Sequence, residues 1–143
     1  MFLDQYEATY SIHRIMEAGK QLGRKPGDWF GPQAVLNALK IISKQSPIRG
    51  FRIAVCSDGN IFLDKILKKV RKGLSVLVGV PMKLGIDKTI PNEYLGNVKM
   101  FFDFAQQIGI AGGQDHRSVY FIGQVNPRHN ADPNLIYLDP HYV

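Results

Sequence analysis

Apolar positions along this chain recur in two rhythms, one of helical spacing and one of strand-like runs. Ser11 can cap a helix over Ile12 to Leu22, closed by Gly23. Gly31-Pro32 opens a second, with proline in its first turn. Ala34, Val35, Leu36, Ala38, Leu39 and Ile42 give that helix an apolar face. Phe51 to Val55 and Ile61 to Leu63 flank Asp58-Gly59 and read as a hairpin. A helix follows Asp64, with Ile66, Leu67 and Val70 opposite a basic side, and Leu74 to Val80 reads as a buried strand. Pro91 begins another amphipathic helix carrying Tyr94, Leu95, Val98, Phe101 and Phe102. Two last strands, Val119 to Val125 and a buried Leu135 to Leu138, are joined by the polar loop Asn126 to Pro133. That order predicts an α+β fold with a mostly antiparallel carboxy-terminal sheet.

Composition narrows the class. With 143 residues, 45% of them hydrophobic, the chain suits one domain or a large part of one. No apolar run reaches the length of a bilayer span, and the first thirty residues carry no secretory pattern. A single cysteine allows no internal disulfide and fits a reducing compartment, so the cytoplasm is the expected location. The net charge of +6 gathers at Lys65, Lys68, Lys69, Arg71 and Lys72, with Arg24 and Lys25 adding two more. Such a face is ordinarily just solvated, with an anionic membrane as the sharper alternative. No basic motif interleaved with aromatics is present, so a nucleic-acid partner is not expected.

Candidate chemistry concentrates at the carboxy terminus. The strand ending at Leu138 delivers Asp139 and His141 on either side of Pro140. Residues two apart in an extended chain share a side, so a carboxylate and an imidazole arrive together. A histidine positioned by a carboxylate is the general base that activates a serine or cysteine nucleophile. A strand end running into a polar turn accounts for the same tripeptide, and the tripeptide alone leaves both readings open. Cys56 lies at the end of a strand with no local feature that would lower its thiol pKa, and reads as structural. His13, His116 and His129 have no partners at metal-ligand spacing, and no cofactor is implied. Ile108-Gly-Ile-Ala-Gly-Gly113 lacks the Gly-Lys-Ser/Thr ending of a phosphate loop. It lies between helix and strand, and its glycines suggest instead a close backbone approach made possible by missing side chains.

Six blocks together carry more than any one of them. Ser11-Ile-His-Arg-Ile15, Gly27-Asp-Trp-Phe-Gly-Pro32, Val80-Pro-Met-Lys-Leu-Gly85, Ile108 to Gly113, Val119-Tyr-Phe-Ile-Gly123 and Leu135-Ile-Tyr-Leu-Asp-Pro-His141 closely resemble, in order, the autophagins. These are autophagy cysteine proteases that process small ubiquitin-like modifiers. The resemblance implies a papain-like fold and a Cys, Asp, His catalytic set in chain order. Asp139 would orient the imidazole and His141 would be the base. Trp29 would line the cleft that admits the modifier's glycine-ending tail; without the resemblance it reads equally as a core aromatic at the start of a helix. Ala105 and Gln106 would belong to a movable loop over the site, beside Gly112 and Gly113. The chain departs from the family at Ala105, where many relatives carry proline, and at Gln114-Asp115, where the family has lysine and proline.

The implied activity is cleavage after a carboxy-terminal glycine of the modifier and its release from phosphatidylethanolamine, with transient membrane association. The family's nucleophile precedes the first of these blocks, after a Gly-Trp-Gly-Cys type motif that this chain lacks. The chain is therefore expected to be a single partial peptidase domain, its nucleophile-bearing amino-terminal part absent, and to be inactive alone. A non-catalytic fragment or pseudoenzyme that only binds the modifier or another partner is the alternative. No aromatic residue is followed three places on by Leu, Ile or Val, so the family's strand-adding docking motif is not in this sequence.

Overall fold

The computed structural model describes residues 3, 5–84, 90–114, 117–125 and 134–142, with nothing of the side chain of Gln114. The chain divides into two compact units, Met1–Met82 and Lys83–Val143. The loop expected over 126–133, His116, His129 and Asp115 all lie outside the described residues, as does Gly85 of the third block.

In the first unit, helices α1 (Ile12–Gln21) and α2 (Pro32–Gln45) pack against a small sheet. Ser11 accepts the N–H of Arg14 at 3.3 Å and so satisfies a free donor at the start of α1. Arg14 in turn donates to Ser46 Oγ at 3.1 Å, tying α1 to the end of α2. Tyr10, Ala18, Ala38, Leu39, Ile42 and Ile53 form the buried core. Gly19 is where α1 admits the ring of Phe30, and any side chain at that position would overlap it.

The hairpin expected after Phe51 does not form. Strand β1 (Phe51–Val55) pairs in parallel with β2 (Ser75–Gly79), from Phe51↔Ser75 to Val55↔Gly79. Helix α3 (Leu63–Val70) makes the crossover that a parallel pair needs. The turn itself is real: Asp58 Oδ1 accepts the N–H of Asn60 at 3.2 Å, and Gly59 has a positive φ of 75°. It feeds a helix because Leu63 continues the spacing of Ile66, Leu67 and Val70, leaving three residues too few for a returning strand.

The second unit runs from helix α4 (Asn92–Met100) through a single turn of 3₁₀ helix (Phe101–Asp103) into a three-stranded antiparallel sheet. Its strands are β3 (Ile110–Gln114), β4 (Arg117–Val125) and β5 (Asn134–Leu138), in that order. The antiparallel expectation holds here. The glycine-rich run, expected to lie between helix and strand, is itself mostly strand: Ile110 to Gln114 pair with β4. The expected close approach occurs within it, since a Cβ on Gly113 (φ 153°) would strike the carbonyl of Arg117. Strand β5 was expected to be buried, yet Ile136, Tyr137 and Leu138 are exposed. The other strands of the sheet cover only part of their surface.

Candidate functional site

Asp139 and His141 meet in a turn. Strand β5 stops at Leu138, Pro140 fixes one torsion, and the N–H of Tyr142 donates to the carbonyl of Asp139 at 3.3 Å. Asp139 Oδ1 accepts the backbone N–H of His141 at 3.0 Å and lies 2.7 Å from its ring Nδ1. The sequence anticipated the meeting but for another reason. The two side chains converge because the backbone folds back into an aspartate-led turn; same-side alternation along an extended strand does not operate here.

These contacts set the protonation pattern. The backbone donor from His141, then the ring contact, then the nearby charges of His141 and Arg117 hold the Asp139 carboxyl below its ordinary value. An ionised carboxylate only accepts hydrogen bonds, so the ring nitrogen that faces it, Nδ1, is the one that carries a proton. Asp139 is largely shielded, at 9% side-chain exposure, whereas His141 is 55% exposed. The imidazole is thus gripped at one nitrogen and open to solvent on the rest of its surface. Chemically, this is the arrangement of a base held in one tautomer.

Arg117 is the member of this site that sequence reading missed. Its Nη2 lies 3.5 Å from Asp139 Oδ2, the oxygen the histidine does not use. The register explains the proximity: Tyr120 pairs with Leu138, so the start of β4 runs beside the end of β5. Arg117 is twenty-two positions before Asp139, and only the antiparallel pairing brings them together. Arg117 and Gly113 also line a shallow hollow with Val119, Phe121 and Tyr137. Gly113 is thereby connected to the Asp139 neighbourhood through Arg117, while Gly112 sits beside it opposite Val119.

The other residues assigned from the sequence fall on other elements. Ala105 and Gln106 form an exposed turn in which the Gln107 N–H donates to Phe104 C=O at 3.0 Å. That turn follows the 3₁₀ segment, which Gln124 of β4 anchors through a 3.0 Å bond to Asp103. Among the described residues, no hydrogen bond or ion pair joins Ala105 or Gln106 to Asp139 or His141. Trp29 belongs to the first unit and is 41% exposed. The aromatic that closes the start of α2 against α1 is its neighbour Phe30, which leaves the Trp29 ring accessible. His13 lies on α1 with its ring 5.5 Å from that of Tyr6.

Cys56 follows β1 directly, is 8% exposed, and donates its backbone N–H to Gly79 C=O at 2.9 Å. It carries no disulfide. Among the described residues there is no group of three His, Cys, Asp or Glu side chains placed to hold a metal, and no helix long and apolar enough to cross a membrane.

A family model described as the peptidase C54 catalytic domain matches residues 1–143. The chain is 34% identical over 152 residues to "Cysteine protease ATG4C" of Mus musculus, covering 99% of this chain and 32% of that protein. It is 38% identical over 149 residues to "Probable cysteine protease ATG4" of Phaeosphaeria nodorum, covering 99% of this chain and 30% of that protein. The ATG4C protein of Homo sapiens is 31% identical over 152 residues, with 99% and 32% covered. The fold class implied is papain-like, and the chain belongs to the peptidase C54 family. It spans about a third of the length of the curated relatives it matches.

Proposed function

We propose that this chain supplies the acid–base half of an autophagy cysteine endopeptidase. His141 acts as the general base, Asp139 holds its tautomer, and the nucleophilic cysteine belongs to a segment outside these 143 residues. The observation that carries the reading is the 2.7 Å Asp139–His141 contact at a strand end, in a chain of the peptidase C54 family. The base takes the thiol proton, the thiolate attacks the scissile carbonyl, the amine leaves with that proton as the C–N bond breaks, and water then hydrolyses the thioester. In this reading the substrate is a ubiquitin-like autophagy modifier, cut after a glycine near its carboxy terminus. The lipid-linked modifier would be freed by the same step at its phosphatidylethanolamine amide. Trp29 is assigned to the cleft as a flat wall that admits glycine and excludes larger side chains. Ala105, Gln106, Gly112 and Gly113 are assigned to the loops around it. The enzyme would work in the cytoplasm with transient membrane association.

The test uses the longer parent protein and two substrates, a modifier precursor extended beyond its glycine and the phosphatidylethanolamine conjugate. Cleavage of both after the glycine is expected; cleavage of neither refutes the substrate assignment.

A second reading, a chain that binds the modifier without cutting it, is favoured by one observation: the sole cysteine is buried beside β2. The transcript upstream of Met1 discriminates. A Gly-Trp-Gly-Cys type segment there supports the peptidase, and its absence supports the binder.

A further inference from the structure

The first unit carries a hollow of about 630 Å³ that the peptidase reading does not use. One wall is α2, with Lys40 and Lys44; the other is α3 and the residue before it, with Phe62, Lys65 and Lys69. Between them lies the unbroken run 52–58. Side chains of a strand alternate between faces, so a hollow lying on one face touches every second residue. Contact with Arg52, Ile53, Ala54 and Val55 in turn fits a hollow that runs along the strand's edge.

That edge is free among the described residues. β1 pairs with β2 alone. The Ser75 N–H donates to Gly50 C=O and the Cys56 N–H to Gly79 C=O. Peptide groups alternate in direction along a strand, so those of Phe51, Ile53 and Val55 point away from β2. The Phe51 carbonyl is already held by the Arg52 guanidinium at 2.6 Å. Ile53 and Val55 remain, each presenting an N–H and a C=O to the hollow.

We propose that this free edge of β1 is a strand-addition site for an extended acidic segment of a partner protein, received between the lysine pairs of α2 and α3. Charge complementarity names the occupant. The hollow is lined by five cations, the four lysines and Arg52, against the single carboxylate of Asp58. Spacing supports it as well. Lysines four apart share a helix face, separated by roughly 6 Å along the axis. Alternate residues of a strand repeat at roughly 6.8 Å. A strand added beside β1 therefore turns alternate side chains toward each wall, at close to the interval at which each wall offers ammonium groups. Main-chain bonds to Ile53 and Val55 would supply affinity, and the lysines would select acidic sequences. The competing account is that the lysines only guard an exposed edge against self-association. The two accounts part on whether an acidic strand binds.

The test uses the longer parent protein and a dye-labelled decapeptide of alternating glutamate and valine, followed by fluorescence anisotropy. Saturable binding is expected, weakening with salt. The pair Lys40→Glu with Lys44→Glu, and separately Lys65→Glu with Lys69→Glu, should each weaken it by about tenfold or more. The same peptide N-methylated at every peptide bond keeps its charge but has no N–H to offer from either edge, and should not bind. Val55→Pro, which removes an outward N–H without touching the β2 ladder, should weaken binding while circular dichroism stays unchanged. Absence of binding, or equal binding of the N-methylated peptide, overturns the proposal. Tighter binding of oligouridylate or of phosphatidylserine vesicles, retained in Val55→Pro, also overturns it, in favour of a general anion surface.

Discussion

A single oxygen of Asp139 holds His141 twice, once through the backbone N–H at 3.0 Å and once at the ring Nδ1 at 2.7 Å. The turn and the ring orientation are therefore one structure, and losing the carboxylate loosens both. Asp139→Ala is expected to release the ring from its fixed tautomer. In ¹⁵N spectra of labelled histidine at neutral pH, His141 should carry its proton on Nδ1 in the natural chain. In the variant the Nδ1–H population should drop. An unchanged tautomer ratio in Asp139→Ala contradicts this coupling.

The same contact has a pH signature. The carboxyl of Asp139 is lowered from an ordinary 3.8, first by the His141 backbone donor and then by the ring contact. A lowered folded-state pKa means that the bond stabilises the turn at all pH values above the ordinary carboxylate range. That contribution is lost as the pH falls through the lowered value. The ¹³C shift of the Asp139 carboxyl should thus titrate with a midpoint under 3.8. In Asp139→Asn the step should vanish. A midpoint at or above the ordinary value counts against the geometry.

Two glycines should respond in opposite directions to alanine. At Gly113 the backbone φ is 153° and a Cβ meets the Arg117 carbonyl, so Gly113→Ala should destabilise the second unit by roughly 1–3 kcal/mol. Gly96 lies exposed within α4 with open space around it, so Gly96→Ala should stabilise by about 0.5–1 kcal/mol. Urea unfolding of both variants checks the contrast. Equal effects would mean that the tight β3–β4 approach is not present in solution.

Loss of the α1 cap should be felt in the first unit. Ser11 is buried and its hydroxyl accepts the Arg14 N–H, so Ser11→Ala should cost about 1 kcal/mol. Ser11→Asp retains an acceptor at the same place and should recover part of that loss. Thermal unfolding of the pair would show it.

What the sequence disclosed, and what it hid, follows the range of the physics involved. Ser11, Gly23, Pro32 and Pro91 act within a turn or two of their own position, and the helices they bound are where those residues place them. Strand partnership is a longer-range matter. Asp58-Gly59 signals a reversal, but whether β1 meets its next neighbour or β2 depends on what Leu63 to Val70 can do as a helix. The glycines of β3 carry no side chains to produce an alternating pattern, so that strand is invisible to periodicity. Asp139 and His141 are legible because they are two residues apart. Arg117 is not, because it joins them only through the register of β4 with β5. That register includes a shift between Phe121 and Gly123, where one strand carries an extra residue. Burial of β5 was overread from its apolar composition, which the strands described here only partly cover.

We propose that His141, and not Cys56, belongs to the catalytic machinery of the longer parent protein. The direct measurement is kcat/KM for cleavage of a glycine-ending modifier fusion by the longer parent protein, compared with its His141→Ala and Cys56→Ser variants. Removing a general base should lower the rate by roughly 10²–10⁴-fold, while the Cys56 variant should stay close to the natural enzyme. Undiminished cleavage by His141→Ala, or loss of cleavage in a folded Cys56→Ser protein, would contradict the account.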